Sequence, residues 1–175
     1  AIEHESVLKS AEAMCMKHGF DLHILSVDSA GHINPAELQE VLSTKSVGLV
    51  SIMHVNNEIG TVQHDMSKIA GLCHENGALF HTDCVQALGS VHIDVVEMQC
   101  DFLSMSAHKV HGPKGVGGLY VSDLVKHLGA INPLVYGGNN QEFGLRGGTE
   151  NIPGIVGFGE ACFEIDDRDV TFNRM

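Results

Sequence analysis

The sequence predicts an α/β domain built on a largely parallel sheet, and three observations predict it. Short apolar runs alternate with amphipathic segments along the 175 residues, the pattern of strands joined by helical crossovers. One run, residues 47–55, is apolar almost throughout, as a strand covered on both faces must be. The composition is 43% hydrophobic with 20 glycines, which builds a packed core and excludes a disordered chain.

Residues 4–19, HESVLKSAEAMCMKHG, set Val7, Leu8, Ala11, Met14 and Cys15 at helical spacing, and Gly19 supplies the stop. Residues 20–28, FDLHILSVD, alternate apolar and polar side chains and predict a strand. A helix starts cleanly in NPAELQEVL: Asn34 can cap, Pro35 suits the first turn, and Glu37 can reach back to the cap. VGLVSIMHV at 47–55 is the buried strand. MSKIAGLCHENG at 66–77 is a helix ended by Gly77, and ALFHTD is a short buried strand running into Asp83. CVQALG reads as a short helix and VVEMQC as a helical turn or two. DFLSMS and GVGGLYVSD are strands, and NIPGIVGFGEACFEID is a helix with a small-residue face. The glycine-rich stretches 112–118 and 137–148 read as turns or binding loops. No repeat and no domain boundary is visible, so residues 1–175 read as one unit.

Net charge is -12 at pH 7, so no nucleic-acid or anionic-membrane partner is expected, since both need basic patches. No apolar run reaches membrane-spanning length. Five cysteines, an odd number without CxxC pairs, suit a reducing compartment. The 12 histidines show no HxxxH or HExxH spacing, and no metal site is expected. The chain opens on Ala-Ile-Glu-His, almost directly in a helical pattern, which raises the expectation of a piece of a longer chain.

Open parallel sheets collect ligands beyond the carboxyl ends of their strands. Residues 47–55 run into Asn56, Asn57 and Glu58. Residues 78–81 run into Thr82 and Asp83, with Gln86 one turn later. Residues 101–105 run into Ser106, His108 and Lys109. Singly, each group reads as a solvated loop of turn formers. Jointly, carboxylate, amides, hydroxyl, imidazole and amine at successive strand ends read as a site. His54 and His81 lie inside apolar strands and read as satisfied core histidines. A lysine and a carboxylate on neighbouring strand ends suit pyridoxal phosphate (PLP). The amine can bond the aldehyde. The carboxylate can keep the pyridine nitrogen protonated, so that the ring accepts electrons from a carbanion. Hydroxyl and imidazole donors can take the phosphate. The bland alternative is a structural ion pair in a non-enzymatic domain.

The strings SIMHVNNEIGTVQ, FHTDCVQALGSVHIDV, DFLSMSAHKVHGPKGVGGLYV and RGGTEN resemble the class V aminotransferase family of fold-type I PLP-dependent transferases, nearest to its cysteine desulfurase (NifS-like) branch, with selenocysteine lyase beside it. The resemblance runs to about Ala161. It implies the family's large domain, a mostly parallel sheet flanked by helices, truncated at both ends. It implies Lys109 as Schiff-base lysine and proton carrier, and Asp83 as partner of the pyridine nitrogen. Gln86 and Asn57 would lie on the phenolic-oxygen side of the ring, and His4 would stack on it and move protons. Ser106 and His108 would bind the phosphate, and Thr149 would reach the phosphate of a partner subunit in a homodimer. The implied reaction takes sulfur from L-cysteine, leaving alanine and an enzyme persulfide that serves iron-sulfur cluster assembly or another acceptor through a scaffold protein. Selenocysteine is the alternative substrate, and an inactive fragment that only dimerises is the alternative role. The cytoplasm is the expected compartment, with the mitochondrial matrix as alternative.

Several positions depart from the family pattern. Ala107 stands where the family has glycine, which is tolerated if its φ is negative. Cys84 replaces an alanine and reads as a small core residue. The stretch GGNNQEFGLRGG is one residue longer than usual, which could shift Arg146 and Thr149. The family's N-terminal phosphate-gripping turn, its sulfur-accepting loop cysteine and its carboxylate-binding arginine have no counterpart in these residues, and a C-terminal small domain is likewise absent.

Overall fold

The computed structural model describes residues 1–138 and 141–172, with 166–172 described by backbone alone. Its helices are α1 (Glu5–His18), α2 (Pro35–Thr44), α3 (Met66–Glu75), α4 (Val95–Met98), α5 (Asp123–Leu128) and α6 (Ile152–Phe172). Its strands, β1 (Leu49–Ser51), β2 (Leu79–Asp83), β3 (Phe102–Ser106) and β4 (Gly117–Val121), lie side by side in that order. The first three are parallel, and β4 is antiparallel to β3. Topology follows from link length. The β1–β2 link carries α3 and the β2–β3 link carries α4, whereas residues 107–116 are too few for a parallel crossover. The ladder also outlasts β1, because Ile52 N donates to His81 O at 3.1 Å and His54 N to Asp83 O at 3.0 Å. The extended run predicted over 47–55 therefore continues past the three residues with regular strand pairing.

One face of the sheet is the core. Met66, Ile69, Ala70 and Cys73 of α3 fall at i, i+3, i+4 and i+7, and all are buried. With Leu38 and Leu42 of α2 they cover Val50, Ile52, Phe80 and Leu103. Phe80 is 0% exposed and Leu103 2%, each burial contributing about 2 kcal/mol. Asn34 caps α2 by accepting from Ala36 N at 3.0 Å. Glu37 does not close a box on that cap. It accepts from the backbone N–H and the hydroxyl of Ser26 and so ties down the preceding segment.

Two expected elements change. Residues 20–28 form no strand, only an isolated antiparallel bridge between Val27 and Ile33. Phe20, Leu22 and Ile24 are exposed. Alternation offers a face, but a strand also needs a neighbouring strand for its backbone groups, and among the described residues no named strand pairs with this segment. CVQALG is a turn, with Ala87 N and Leu88 N both donating to Cys84 O. One helix was missed: Ser122 caps α5 by accepting from Val125 N, and Gly129 ends it at φ 59. That serine-then-glycine signal was legible in the sequence.

Asp101 stands where β3 begins, 2% exposed. Its Oδ2 accepts from Phe80 N at 2.8 Å and bonds His74 Nε2 of α3 at 2.8 Å, while Oδ1 accepts from Ser122 Oγ at 3.2 Å. Its own N–H donates to Phe80 O at 2.9 Å. Asp101→Ala leaves three polar groups without their partner, so urea denaturation should show a loss of about 3 kcal/mol. A loss below about 1 kcal/mol would mean that neighbouring groups or water replace the carboxylate.

Candidate functional site

Asp83 ends β2 opposite Ser104 of β3. From Ser106 the chain passes straight into a 3₁₀ turn, Ala107–Val110, which carries His108 and Lys109. Asp83 and Lys109 thus occupy the same carboxyl edge on adjacent strands. Asp83 is 6% exposed, and its Oδ1 accepts from Val85 N at 2.8 Å, which leaves Oδ2 for a ligand. Lys109 and His108 are exposed. Ser106 Oγ and His108 Nδ1 are joined at 2.8 Å, so the two groups read as phosphate donors are already paired.

The turn that presents Lys109 is tightly built. His111 adopts φ 68, and Gly112 N donates to Ala107 O at 2.8 Å. A Cβ on Gly112 would lie 2.9 Å from that oxygen and 3.0 Å from the Ala107 Cβ. Ala107 is not among the residues with positive φ, and it is fully buried, so its methyl is accommodated where the family has glycine. Helix α6 crosses this region: a Cβ on Gly157 would lie 3.1 Å from Pro113 Cγ. That closeness accounts for a small residue on the helix face.

His4 caps α1, with Nδ1 accepting from Ser6 N at 3.2 Å. Asn57 is half-buried and donates to Glu58 Oε1 at 2.9 Å. Its neighbour Asn56 does the structural work: Oδ1 accepts from Glu58 N and Ile59 N, and Nδ2 donates to Ile2 O at 2.8 Å. That last bond holds the segment entering α1 beside the edge. Gln86 lies half-buried in the turn after Asp83. Thr149 is exposed, and Arg146 Nη1 donates to the carbonyls of Gly148 and Thr149. Among the described residues no contact joins Thr149 to Lys109 or Asp83. Asn139 and Asn140 of the glycine-rich stretch lie outside the described residues.

Glu3 was missed by sequence reasoning. Its Oε1 accepts from Met53 N at 2.5 Å, while Oε2 is buried without a hydrogen-bond partner. Burial first, then the nearby Asp83 charge, push its pKa up to about 7, against the pull of the Met53 N–H, the N-terminal amine and the Ser51 hydroxyl. An orphaned carboxylate oxygen beside a second carboxylate is a signal that only coordinates can give. His81 is satisfied, as expected, through both ring nitrogens: Nδ1 with Ser51 Oγ and Nε2 with Ser104 Oγ, each at 2.7 Å. Burial lowers its pKa, opposed by the Asp83 charge. His54 is buried, which lowers its pKa likewise.

Cys73, Cys84 and Cys100 are buried. Burial pushes the Cys73 and Cys84 thiols up to about 12 and that of Cys100 up to about 11. None of the three is a nucleophile in the fold. Away from the edge, His92, Asp94 and Glu97 bring potential ligand atoms within 4.8 Å of one another, all exposed. Asp94 is already engaged there in capping α4. No helix among the described residues is long and apolar enough to cross a membrane.

Fold and edge together define an α/β domain that gathers an amine, a carboxylate, a hydroxyl and an imidazole at its strand ends. The chain belongs to the aminotransferase class-V family, whose model matches residues 1–170. Its relatives lie in the expected branch. A Saccharomyces cerevisiae protein named cysteine desulfurase, mitochondrial, is 47% identical over 91% of this chain and 31% of its own length. Cysteine desulfurase IscS of Clostridium botulinum is 46% identical over 91% of this chain and 38% of its own. Among solved structures, a NifS-like protein matches with TM-score 0.87 and 39% identity over 95% of this chain and 44% of that one. SspA in complex with cysteine matches with TM-score 0.81 and 42% identity over 93% and 45%. The chain spans about a third of the length of these curated relatives.

Two outcomes follow. Thiol labelling of the native chain at pH 8 should leave Cys73, Cys84 and Cys100 slow, with about one thiolate in ten thousand at the two higher values. Rapid modification of Cys84 would contradict the packing. Glu3 ordinarily titrates at 4.5 and is raised to about 7 in the fold, so the native state holds its proton more tightly than the unfolded state. Stability should therefore fall as pH rises from 4.5 to 7. Glu3→Gln should flatten that slope in denaturation series run across the window.

Proposed function

We propose that this chain is part of the cofactor-binding large domain of a PLP-dependent cysteine desulfurase. The observation that carries the reading is the placement of Lys109 and Asp83 at one carboxyl edge on adjacent strands. The donor set fits the cofactor. Lys109 supplies an exposed primary amine, and Asp83 a buried carboxylate with one oxygen left over. Ser106 and His108 supply a hydroxyl and an imidazole where a phosphate would be met. PLP, when bound, serves as an electron sink for a carbanion at the substrate Cα.

The chain's own residues have the remaining tasks. Asp83 Oδ2 would hold the proton of the pyridine nitrogen, helped by a buried setting that strengthens the pairing of opposite charges. Lys109 Nζ would take and return the Cα proton, since its turn leaves it exposed and unpaired by any described carboxylate. His4, Asn57 and Gln86 would orient the ring, and Thr149 would reach a phosphate across a homodimer. L-cysteine is the substrate favoured, in line with the named activity of the relatives and the ligand of the SspA structure. A sulfur-accepting scaffold would take the product sulfur. The buried thiols suit a reducing compartment, the cytosol or the mitochondrial matrix.

Titration of the chain with PLP tests the reading. A visible absorbance band should grow in the wild type, fail in Lys109→Ala, and weaken strongly in Asp83→Asn. A band that survives Lys109→Ala would overturn the assignment. PLP binding without alanine release from L-cysteine would assign the chain to a cofactor-holding role that needs the rest of a longer protein.

A further inference from the structure

Beside Asp83, polar side chains run diagonally across three strands. Ser51 lies on β1, His81 on β2 and Ser104 on β3. Ser51 Oγ meets His81 Nδ1 and His81 Nε2 meets Ser104 Oγ, each at 2.7 Å. All three share the face that carries Asp83, because His81 and Asp83 are two residues apart on one strand and Ser104 is the register partner of Asp83. At the β1 end stands Glu3, pinned by Met53 N through Oε1, with Oε2 buried and unpartnered and the Ser51 hydroxyl acting on it. A row of hydroxyl, imidazole and hydroxyl with a carboxyl at its head is more than sheet stability requires. Apolar residues would fill the same positions without any orphaned oxygen.

We propose that Glu3, Ser51, His81 and Ser104 form a proton wire across the sheet, with Glu3 as its proton store and Ser104 as its outlet beside Asp83. The direction of the hydrogen bonds decides its state. In the proposed protonated state Glu3 would turn its Oε2–H, unpartnered in the structure, toward Ser51, while Ser51 donates to His81 Nδ1 and His81 Nε2–H donates to Ser104. With Glu3 ionised, both His81 bonds would reverse: Ser104 donates to Nε2, Nδ1–H donates to Ser51, and Ser51 turns to the carboxylate. One transfer carries one proton. The O–H bond of Glu3 breaks as a new one forms on Ser51. The proton that Ser51 held passes to Nδ1, the Nε2 proton passes to Ser104, and the proton that Ser104 held leaves to a water or base at the edge. Glu3 is refilled from solvent.

The imidazole conducts only while it is neutral, exchanging one tautomer for the other. Burial favours the neutral form, and the charge of Asp83 is the ionic group that opposes it. Two charged groups face Glu3: Asp83 from β2, which favours its protonation, and the N-terminal amine of Ala1, which disfavours it. Any service of the wire to catalysis rests on the proposed role of Lys109 and Asp83. The existence of the wire does not.

The test uses the full chain without added PLP, labelled with ¹⁵N at histidine, with His81 signals assigned by their loss in His81→Asn. Between pH 5.5 and 8.5 the His81 ring should remain neutral and shift from the Nε2–H to the Nδ1–H tautomer. Glu3→Gln should remove that shift. Ser51→Ala should remove it while Glu3, followed by ¹³C at its carboxyl, still titrates. A tautomer indifferent to pH in the wild type, an imidazolium appearing in this window, or a shift that persists in Ser51→Ala would each overturn the wire. The cofactor reading is scored apart, by the Lys109-dependent absorbance. A silent His81 in a chain that binds PLP sinks the wire alone. A switching His81 in a chain that does not bind PLP upholds the wire and sinks the cofactor reading.

Discussion

The register of β2 against β3 depends on a buried carboxylate at the edge opposite the site. Asp101 donates its backbone N–H to Phe80 O and takes the Phe80 N–H through its side chain. The same group holds His74 of α3 and Ser122 at the head of α5. Side chains alternate strictly along a strand, so a slip of one residue would turn His81 and Asp83 into the core and Phe80 and Thr82 out of it. The pairing of Asp83 with Ser104, and the position of Lys109 five residues beyond Ser104, inherit that register. A polar anchor suits this purpose better than an apolar contact. It is satisfied in one alignment only, and leaving it unpaired in the interior carries a penalty.

The sheet therefore has two faces of different chemistry. Val50, Ile52, Phe80 and Leu103 look into the helices α2 and α3. Ser51, His81, Asp83, Ser104 and Ser106 occupy the alternate positions. A neutral histidine between two serines lets polar groups sit on the half-buried face without stranded donors. Glu3 is the exception, with one oxygen satisfied and the other not. Exceptions of this kind collect where a protein does chemistry rather than where it merely packs.

Much of the fold was legible because its signals are local. Asn34 and Pro35 start α2, Gly19 ends α1, and the 66, 69, 70, 73 stripe of α3 follows from helical period alone. The segment 20–28 misled because alternation describes a face and says nothing of a partner. CVQALG misled because a single turn and a short helix share their residues. Of the site, Asp83 and Lys109 stood out through chemistry that few structural roles need, and the edge position agrees with that reading. Glu3 did not, since a glutamate at a helix start ordinarily reads as a solvated charge.

The residue order alone determined the class: strands alternating with helices, an acidic chain, and motifs close enough to place it among the class V aminotransferases. Those properties are written in runs and short strings, where each residue acts through its neighbours in sequence. The fold in three dimensions decided that Glu3, Ser51, His81 and Ser104 meet. The gaps between successive members are 48, 30 and 23 residues, and no local rule spans such distances. Ser51, His81 and Ser104 meet through parallel register, because hydrogen-bonded strands bring residues remote in sequence together on one face, and the bond from Met53 N holds Glu3 beside them.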